Sequence, residues 1–319
     1  MLNIGVFGAG HLGKIHLKLL NESKEYNLIG FHDSDIINVK QILKDFNYNF
    51  FKSPEDLISK CDVIDIVTPT LSHHEIALLA LSNNCHVFIE KPITKSIKEA
   101  KELIDCSILN RLKGQVGHVE RFNPAFIAAK DHITKPMFIE THRLAEFNPR
   151  GTDVPVVLDL MIHDIDIILS LIKSPIKSIN ASSVKVISST PDIANARIEF
   201  ENGCVANLTA SRISMKKMRK SRFFQKDAYI AIDFLTKETE IVKIKNTPYN
   251  SNEVGMILKN SEGVKRQIYF ENPIIIDSNA ILDELESFAN SINRNEKPIV
   301  DLNDGYLALD TAQKIIDIY

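Results

Sequence analysis

Two stretches of this 319-residue chain carry side chains whose types and spacing could do chemistry. The first is VVLDLMIHDIDIILSLI at residues 156–172, almost wholly apolar yet holding Asp159, His163, Asp164 and Asp166. At about 100° per residue on an α-helix, Asp159, His163 and Asp166 fall within roughly 60° of one another. The apolar surroundings imply an enclosed helix. An isolated buried carboxylate is costly to desolvate, so these groups must be paired or must face a cavity. An imidazole titrating near neutrality, with a carboxylate one turn away, suits proton transfer. A satisfied core network would use the same residues with no chemistry at all.

The second stretch is Gly8-Ala9-Gly10-His11-Leu12-Gly13, a GxGxxG between the apolar run LNIGVF and the helically spaced KIHLKLL. That is the strand–turn–helix context a dinucleotide-binding turn requires. Gly8 permits the tight turn, Gly10 admits a pyrophosphate close to the backbone, and Gly13 lets helix and strand pack closely. His11 and Leu12 open the helix whose N-terminus favours the phosphate charge. Asp33 ends the next strand-like run, NLIGFHD, 20 residues after Gly13. A carboxylate there accepts hydrogen bonds from the adenine-ribose hydroxyls and repels a 2′-phosphate, which points to NAD over NADP. A turn-forming Asp would occupy the same place.

The elements that must position these groups follow from periodicity. A short strand is predicted at 50–51, a helix at 54–60, a buried strand at 63–67, a helix at 74–82 and a strand at 86–89. A helix at 96–112 and a strand at 115–119 come next. Strands alternating with helices give a parallel, doubly wound sheet with right-handed crossovers. Ligands on such sheets sit at the carboxyl ends of the strands, so Thr68, Pro69, His73, Glu90, Lys91 and Pro92 are candidates to line one cleft. His73 could equally cap its helix or lie on the surface.

From residue 137 the pattern becomes antiparallel. MFIETHRLAEF, SINASSVKVI, ARIEF, VANLTASRI, AYIAIDFL and RQIYF are joined by turn signals, and several alternate with period two. Asn202-Gly203 between two such runs predicts a hairpin. The histidine helix enters after Thr152-Asp153-Val154-Pro155, and late helices are expected at 280–292 and 305–318.

The segment TPTLSHHEIALLALSNNCHVFIEKP is similar, nearly position by position, to the segment that defines the Gfo/Idh/MocA family of NAD(P)-dependent sugar and inositol oxidoreductases. The family's glycine fingerprint, its EKP and its histidine helix occur here in that order. The resemblance implies an α/β chain of two domains. Residues 1–119 would form a Rossmann domain and 120–319 an α+β domain with a large, mostly antiparallel open sheet, the last helix packing back on the first domain. The EKP lysine, which lies between nicotinamide and substrate in the family, corresponds to Lys91. The family's D-x-G-x-H-x-x-D corresponds to Asp159, Met161, His163 and Asp166. Met161 replaces the usual glycine, which bears on the floor of the substrate pocket. The family changes domains in a segment like GHVERFNPAF, making Arg121 and Asn123 substrate or interdomain contacts or, equally, structural residues. In relatives the open sheet pairs with another subunit, so a homo-oligomer, dimer or tetramer, is implied.

Bulk properties bound the remaining classes. About two domains suit this length, and 44% hydrophobic with 25% charged residues suits a globular chain with a large core. With a net charge of −3, nucleic-acid binding is not expected. The densest basic run, Lys216, Lys217, Arg219, Lys220 and Arg222, reads as a solvated loop or strand end. The four cysteines form no CxxC pair, so neither zinc site nor disulfide framework is expected. No apolar run reaches bilayer length, and the opening on LNIGVF leaves no room for a signal peptide, so a cytoplasmic protein is expected.

Hydride transfer from a secondary alcohol to nicotinamide requires loss of the hydroxyl proton. His163 is expected to be the base, Asp159 to orient it, and Lys91 to hold the reacting oxygen. No metal is needed. GHVERFNPAF and RGTDVPVVLDLMIHDIDIIL look most like the family branch that oxidises the 3-hydroxyl of UDP-N-acetylglucosamine or its uronic acid. Arg143 and the basic run could meet a diphosphate. Free sugars or inositols are alternatives, as is a non-catalytic NAD-responsive regulator.

Overall fold

The run LNIGVF becomes the first strand of the molecule, in a computed structural model that describes residues 1–149, 154–245, 256–259 and 265–319. Two compact units emerge: Met1–Phe122 with Asn279–Asp310, and Asn123–Ser278 with Thr311–Tyr319.

The first unit is a wound α/β sheet. Strands β1 (Leu2–Phe7), β2 (Tyr26–His32), β3 (Val63–Ile66), β4 (His86–Glu90) and β5 (Gly114–Gly117) are all parallel, in the order β2-β1-β3-β4-β5. Helices α1 (His11–Glu22), α2 (Ile36–Asp45), α3 (Pro54–Ile58), α4 (His73–Ser82) and α5 (Ile97–Leu109) connect them. Strand order reverses between β1 and β3, which is where an open α/β sheet leaves its ligand crevice. Helix α2, capped by the Asp35 carboxylate on two amides, was not anticipated. The strand expected at 50–51 is a single bridge from Phe50 to Phe31. Ser96 and Glu99 close a capping box at the start of α5.

The second unit contains α6 (Pro124–Ala129), β6 (Phe138–Leu144), α7 (Ile162–Leu171), β7 (Ile176–Val184), β8 (Ile193–Phe200), β9 (Val205–Ser211), β10 (Met218–Phe224), β11 (Ala228–Asp233), β12 (Glu238–Lys245), β13 (Met256–Lys259) and β14 (Lys265–Glu271). Nine strands form one sheet in the order β13-β14-β12-β11-β10-β6-β9-β8-β7, antiparallel except at β6 and β9. Period-two burial is plain: Ile139, Thr141 and Arg143 point inward on β6, as do Ala206, Leu208 and Ala210 on β9. The hairpin at Asn202-Gly203 joins β8 to β9, with Gly203 at φ +85.

The basic run behaves differently from expectation. Met218–Phe224 is an interior strand between β6 and β11, with Ser221 and Phe223 fully buried. On the opposite side Lys220 pairs with Asp233 at 3.0 Å and Arg222 with Glu140 at 3.8 Å. The cross-strand partners neutralise charges that read as a loop in one dimension.

Helices α8 (Ala280–Asn293) and α9 (Leu302–Ile316) complete the chain. The Tyr26 hydroxyl donates to the Leu285 carbonyl at 2.8 Å, and Phe288 packs on Phe88 with ring centroids 6.3 Å apart. Helix α8 thus belongs to the first unit's core, which a division at 119/120 does not anticipate.

Candidate active site

The glycine turn is packed against backbone on one side and open on the other. Gly8 sits at φ +91, and a Cβ there would meet Thr68 N at 2.7 Å. A Cβ on Gly13 would lie 2.1 Å from the Gly8 carbonyl oxygen, whereas one on Gly10 would meet nothing within 4 Å. The residues present therefore fit a dinucleotide: backbone packs behind the turn and open space lies in front. His11 is exposed and Leu12 half-buried at the start of α1.

Asp33 stands at the end of β2, as expected, and is tied to that turn. Its Oδ2 accepts from Ala9 N–H at 2.7 Å and its Oδ1 from Asp35 N–H at 2.8 Å. Asn38, which sequence reasoning missed, donates to both the Ala9 carbonyl (2.8 Å) and Asp33 Oδ2 (3.4 Å).

Thr68 and Pro69 follow β3, and Glu90 and Lys91 lie at the end of β4, all half-buried except the exposed Pro69. His73 is only 1% exposed, with Nε2 2.8 Å from the Thr68 carbonyl and Nδ1 3.0 Å from that of Pro92. Its ring stitches the two strand-end loops together. Burial pushes the imidazole below its usual range, while the two carbonyls pull it back. His73 supports the loops that carry Thr68 and Lys91, the residues it was expected to accompany at the cofactor.

Behind these loops lies a cluster that the motifs did not reveal. His16 on α1 and Asp65 on β3 have fully buried side chains, and His16 Nδ1 is 2.9 Å from Asp65 Oδ2. His16 Nε2 is 3.5 Å from Glu90 Oε1. Burial alone would lower the imidazole, but Asp65 and then Glu90 reverse this and hold it up at about 10. The signal was present: Asp65 is a carboxylate inside the otherwise apolar strand VIDI.

Arg121 lies in a 3-10 turn, Val119–Phe122, in the first unit. Asn123 opens the second as the N-cap of α6, accepting from Ala125 N–H and donating to the Phe234 carbonyl at 3.0 Å.

The histidine segment is not a regular helix throughout. Val157–Met161 forms a π turn in which Ile162 N–H reaches the Val157 carbonyl, and α7 starts only at Ile162. An i→i+5 turn holds one more residue than an α turn, so Asp159 is rotated from the position a uniform 100° step gives it. Asp159 and His163 are half-buried, while Asp164 and Asp166 are buried. The lead-in residues Thr152 and Asp153 lie outside the described residues. Met161, at the family's glycine position, is fully buried.

A cavity of about 530 Å³ in this unit is lined by Asp159, Leu160, Asn148, Arg212 and Lys217, among others. Arg212 donates to the Val154 carbonyl and lies 4.0 Å from Asp192, which itself accepts from three backbone amides. That network anchors the chain just before the π turn.

Arg143 is buried against Asp164. It is 3% exposed, its guanidinium clasps Asp164 with bonds of 3.1 and 2.9 Å, and it lies over the Phe234 ring. The pair fastens α7 to β6.

Burial raises the thiols of Cys61, Cys85 and Cys204, leaving them poor nucleophiles. Among the described residues no cluster could hold a metal ion, and no helix is long and apolar enough to cross a membrane.

Comparison with known proteins bears on both units. Residues 2–118 match the oxidoreductase family with an NAD-binding Rossmann fold, and 98–226 match the Gfo/Idh/MocA C-terminal domain. A UDP-N-acetylglucosamine 3-dehydrogenase of Acidithiobacillus ferrooxidans is 34% identical over 241 residues, 75% of this chain and 76% of its own. The scyllo-inositol 2-dehydrogenase (NAD(+)) of Bacillus subtilis is 27% identical over 66% of this chain and 67% of its own. In structure, the Acidithiobacillus ferrooxidans enzyme aligns with TM-score 0.89 and 29% identity, covering 99% of this chain and 97% of the other. An apo scyllo-inositol dehydrogenase from Lactobacillus casei shares the fold alone, at TM-score 0.79 and 21% identity, over 100% and 96% of the two chains. With a glycine turn shaped for a dinucleotide, an EKP at a strand end and both halves matched, this chain belongs to the Gfo/Idh/MocA family of oxidoreductases.

Proposed function

We propose that this chain is an NAD-dependent dehydrogenase that oxidises the 3-hydroxyl of a UDP-N-acetyl-hexosamine. The observation that carries the substrate class is the end-to-end likeness to a UDP-N-acetylglucosamine 3-dehydrogenase, at 29% identity over 99% of the chain. NAD rather than NADP is favoured by Asp33, whose carboxylate is fixed against the glycine turn where a 2′-phosphate would be repelled. Gly8, Gly10, Gly13, His11 and Leu12 hold the pyrophosphate end in this proposal, with Thr68, Pro69, Glu90 and Lys91 at the strand ends.

The bound nicotinamide supplies the hydride acceptor. His163 takes the hydroxyl proton at its imidazole and returns it in the reverse direction. Asp159 orients that ring and favours its charged form. Lys91 holds the reacting oxygen and stabilises the developing negative charge. Arg121 and Asn123 are left as supports near the change of unit, and Lys217 and Arg212 as cations lining the Asp159 cavity. A homo-oligomer is part of the same proposal, measured by light scattering.

A second reading, a free-sugar or inositol dehydrogenase, is supported by the 27% identical inositol enzyme. Reduced-nicotinamide absorbance over a panel of nucleotide sugars, sugars and inositols separates the two. Turnover confined to UDP-N-acetyl-hexosamines supports the first reading, turnover of polyols the second. Cofactor binding with no turnover on any would leave a non-catalytic regulator.

A further inference from the structure

Neither His16 nor Asp65 belongs to any motif that carries the reaction, yet both are placed with care. His16 sits on α1 one turn past Gly13, with a ring that has no solvent exposure, edge-on to Phe88 at 6.0 Å. One ring nitrogen faces Asp65 at 2.9 Å and the other faces Glu90 at 3.5 Å. An ionised carboxylate only accepts; the Asp65-facing nitrogen makes a hydrogen bond, and the other lies within ion-pair distance of Glu90 without making one. One imidazolium between two carboxylates leaves a net charge of about −1 in the cluster.

That charge has an outlet. Glu90 is the partly exposed member, at 13% against 0% for the other two. Its second oxygen accepts from the backbone N–H of Lys91 at 3.1 Å, at the carboxyl end of β4. Across the sheet Glu90 is in register with Gly117, where an added Cβ would fall 2.7 Å from Glu90 Oε1. Strand β5 thus leaves a gap that the carboxylate fills. A buried uncompensated charge is costly, and here α1, β3, β4 and β5 all contribute to keeping one at the strand ends, where such sheets bind ligands.

We infer that Asp65, His16 and Glu90 form a buried charge relay that fixes Glu90 as a negative charge at the cofactor crevice, favouring the positively charged oxidised nicotinamide over the neutral reduced form. Glu90 acts directly, and His16 and Asp65 are positioning residues that act through it. This rests on the proposed NAD-dependent function. The titratable and charged groups that interact with Glu90 are His16 from α1, Asp65 from β3, His73 from α4 and the adjoining Lys91.

The test is the ratio of dissociation constants for NAD⁺ and NADH, measured by calorimetry on the full chain without substrate. Glu90→Gln keeps the shape and removes the charge. It should weaken NAD⁺ about tenfold while leaving NADH within about twofold, the scale of one partly screened charge pair. In His16→Gln the ratio should move toward that of Glu90→Gln, because Glu90 then faces Asp65 with no imidazole between them. Thermal melts confirm that each variant is folded. An unchanged ratio in Glu90→Gln or in His16→Gln overturns the relay alone. Failure of wild type to bind either form overturns the proposed function and the relay together.

Discussion

The two units bury charge in opposite ways. In the second, Arg143 and Asp164 are both nearly inaccessible and cancel each other, so the pair acts as a clasp between a strand and a helix. In the first, one imidazole stands between two carboxylates, of which Glu90 alone is partly exposed. A neutral buried pair can only hold the fold together, whereas a cluster with net charge also biases what binds beside it. The contrast separates residues whose loss should cost stability from residues whose loss should alter binding.

The largest expected effect falls on the clasp. Arg143→Ala removes the guanidinium from the buried Asp164 carboxylate, and denaturant unfolding should show a loss of about 3–5 kcal/mol. Replacing both partners together, as Arg143→Met with Asp164→Leu, should restore much of it. A loss under about 1 kcal/mol in the single variant would remove the distinction between clasp and relay.

Next is pH. The His16 imidazole is held at about 10 in the folded chain against an ordinary 6.5. The folded state therefore binds this proton more tightly than the unfolded one. Its contribution to stability is complete below pH 6.5 and is lost as pH rises through about 10. The melting temperature should fall across that interval, and fall less in His16→Gln. An identical profile in the variant would place the proton elsewhere.

Smaller effects belong to coenzyme selection. Asp33→Ala should weaken NAD about tenfold and relatively favour NADP, on the scale of one lost charge-assisted hydrogen bond. Asn38→Ala should weaken NAD about fivefold by loosening the turn that Asp33 braces, since the lost bond to the Ala9 carbonyl contributes about 1 kcal/mol. A larger loss in Asn38→Ala than in Asp33→Ala would reverse the assigned order.

These contrasts also explain what the sequence made legible. The parallel sheet, the glycine turn and the hairpin at Asn202-Gly203 were readable because each depends on local periodicity or local backbone conformation. Strand β10 was not, since its Lys220 and Arg222 are neutralised by Asp233 and Glu140 on strands adjacent only in three dimensions. Arg143 looked available for the same reason, its partner lying on a separate helix. The π turn at Val157–Met161 escaped because a helical wheel assumes uniform i→i+4 closure. Asp65 did announce itself, as a carboxylate in a buried strand, but its partner His16 lies 49 residues away in the chain.

One measurement bears most directly on the proposed chemistry: turnover of UDP-N-acetylglucosamine with NAD by wild type, Lys91→Ala and His163→Ala, followed by reduced-nicotinamide absorbance. Cofactor affinity is measured on the same preparations. The expected result is cofactor binding close to wild type in both variants, with turnover reduced at least ~100-fold in each, the scale of a positioned acid–base group. Near-normal turnover in both variants would contradict the assignment of Lys91 and His163.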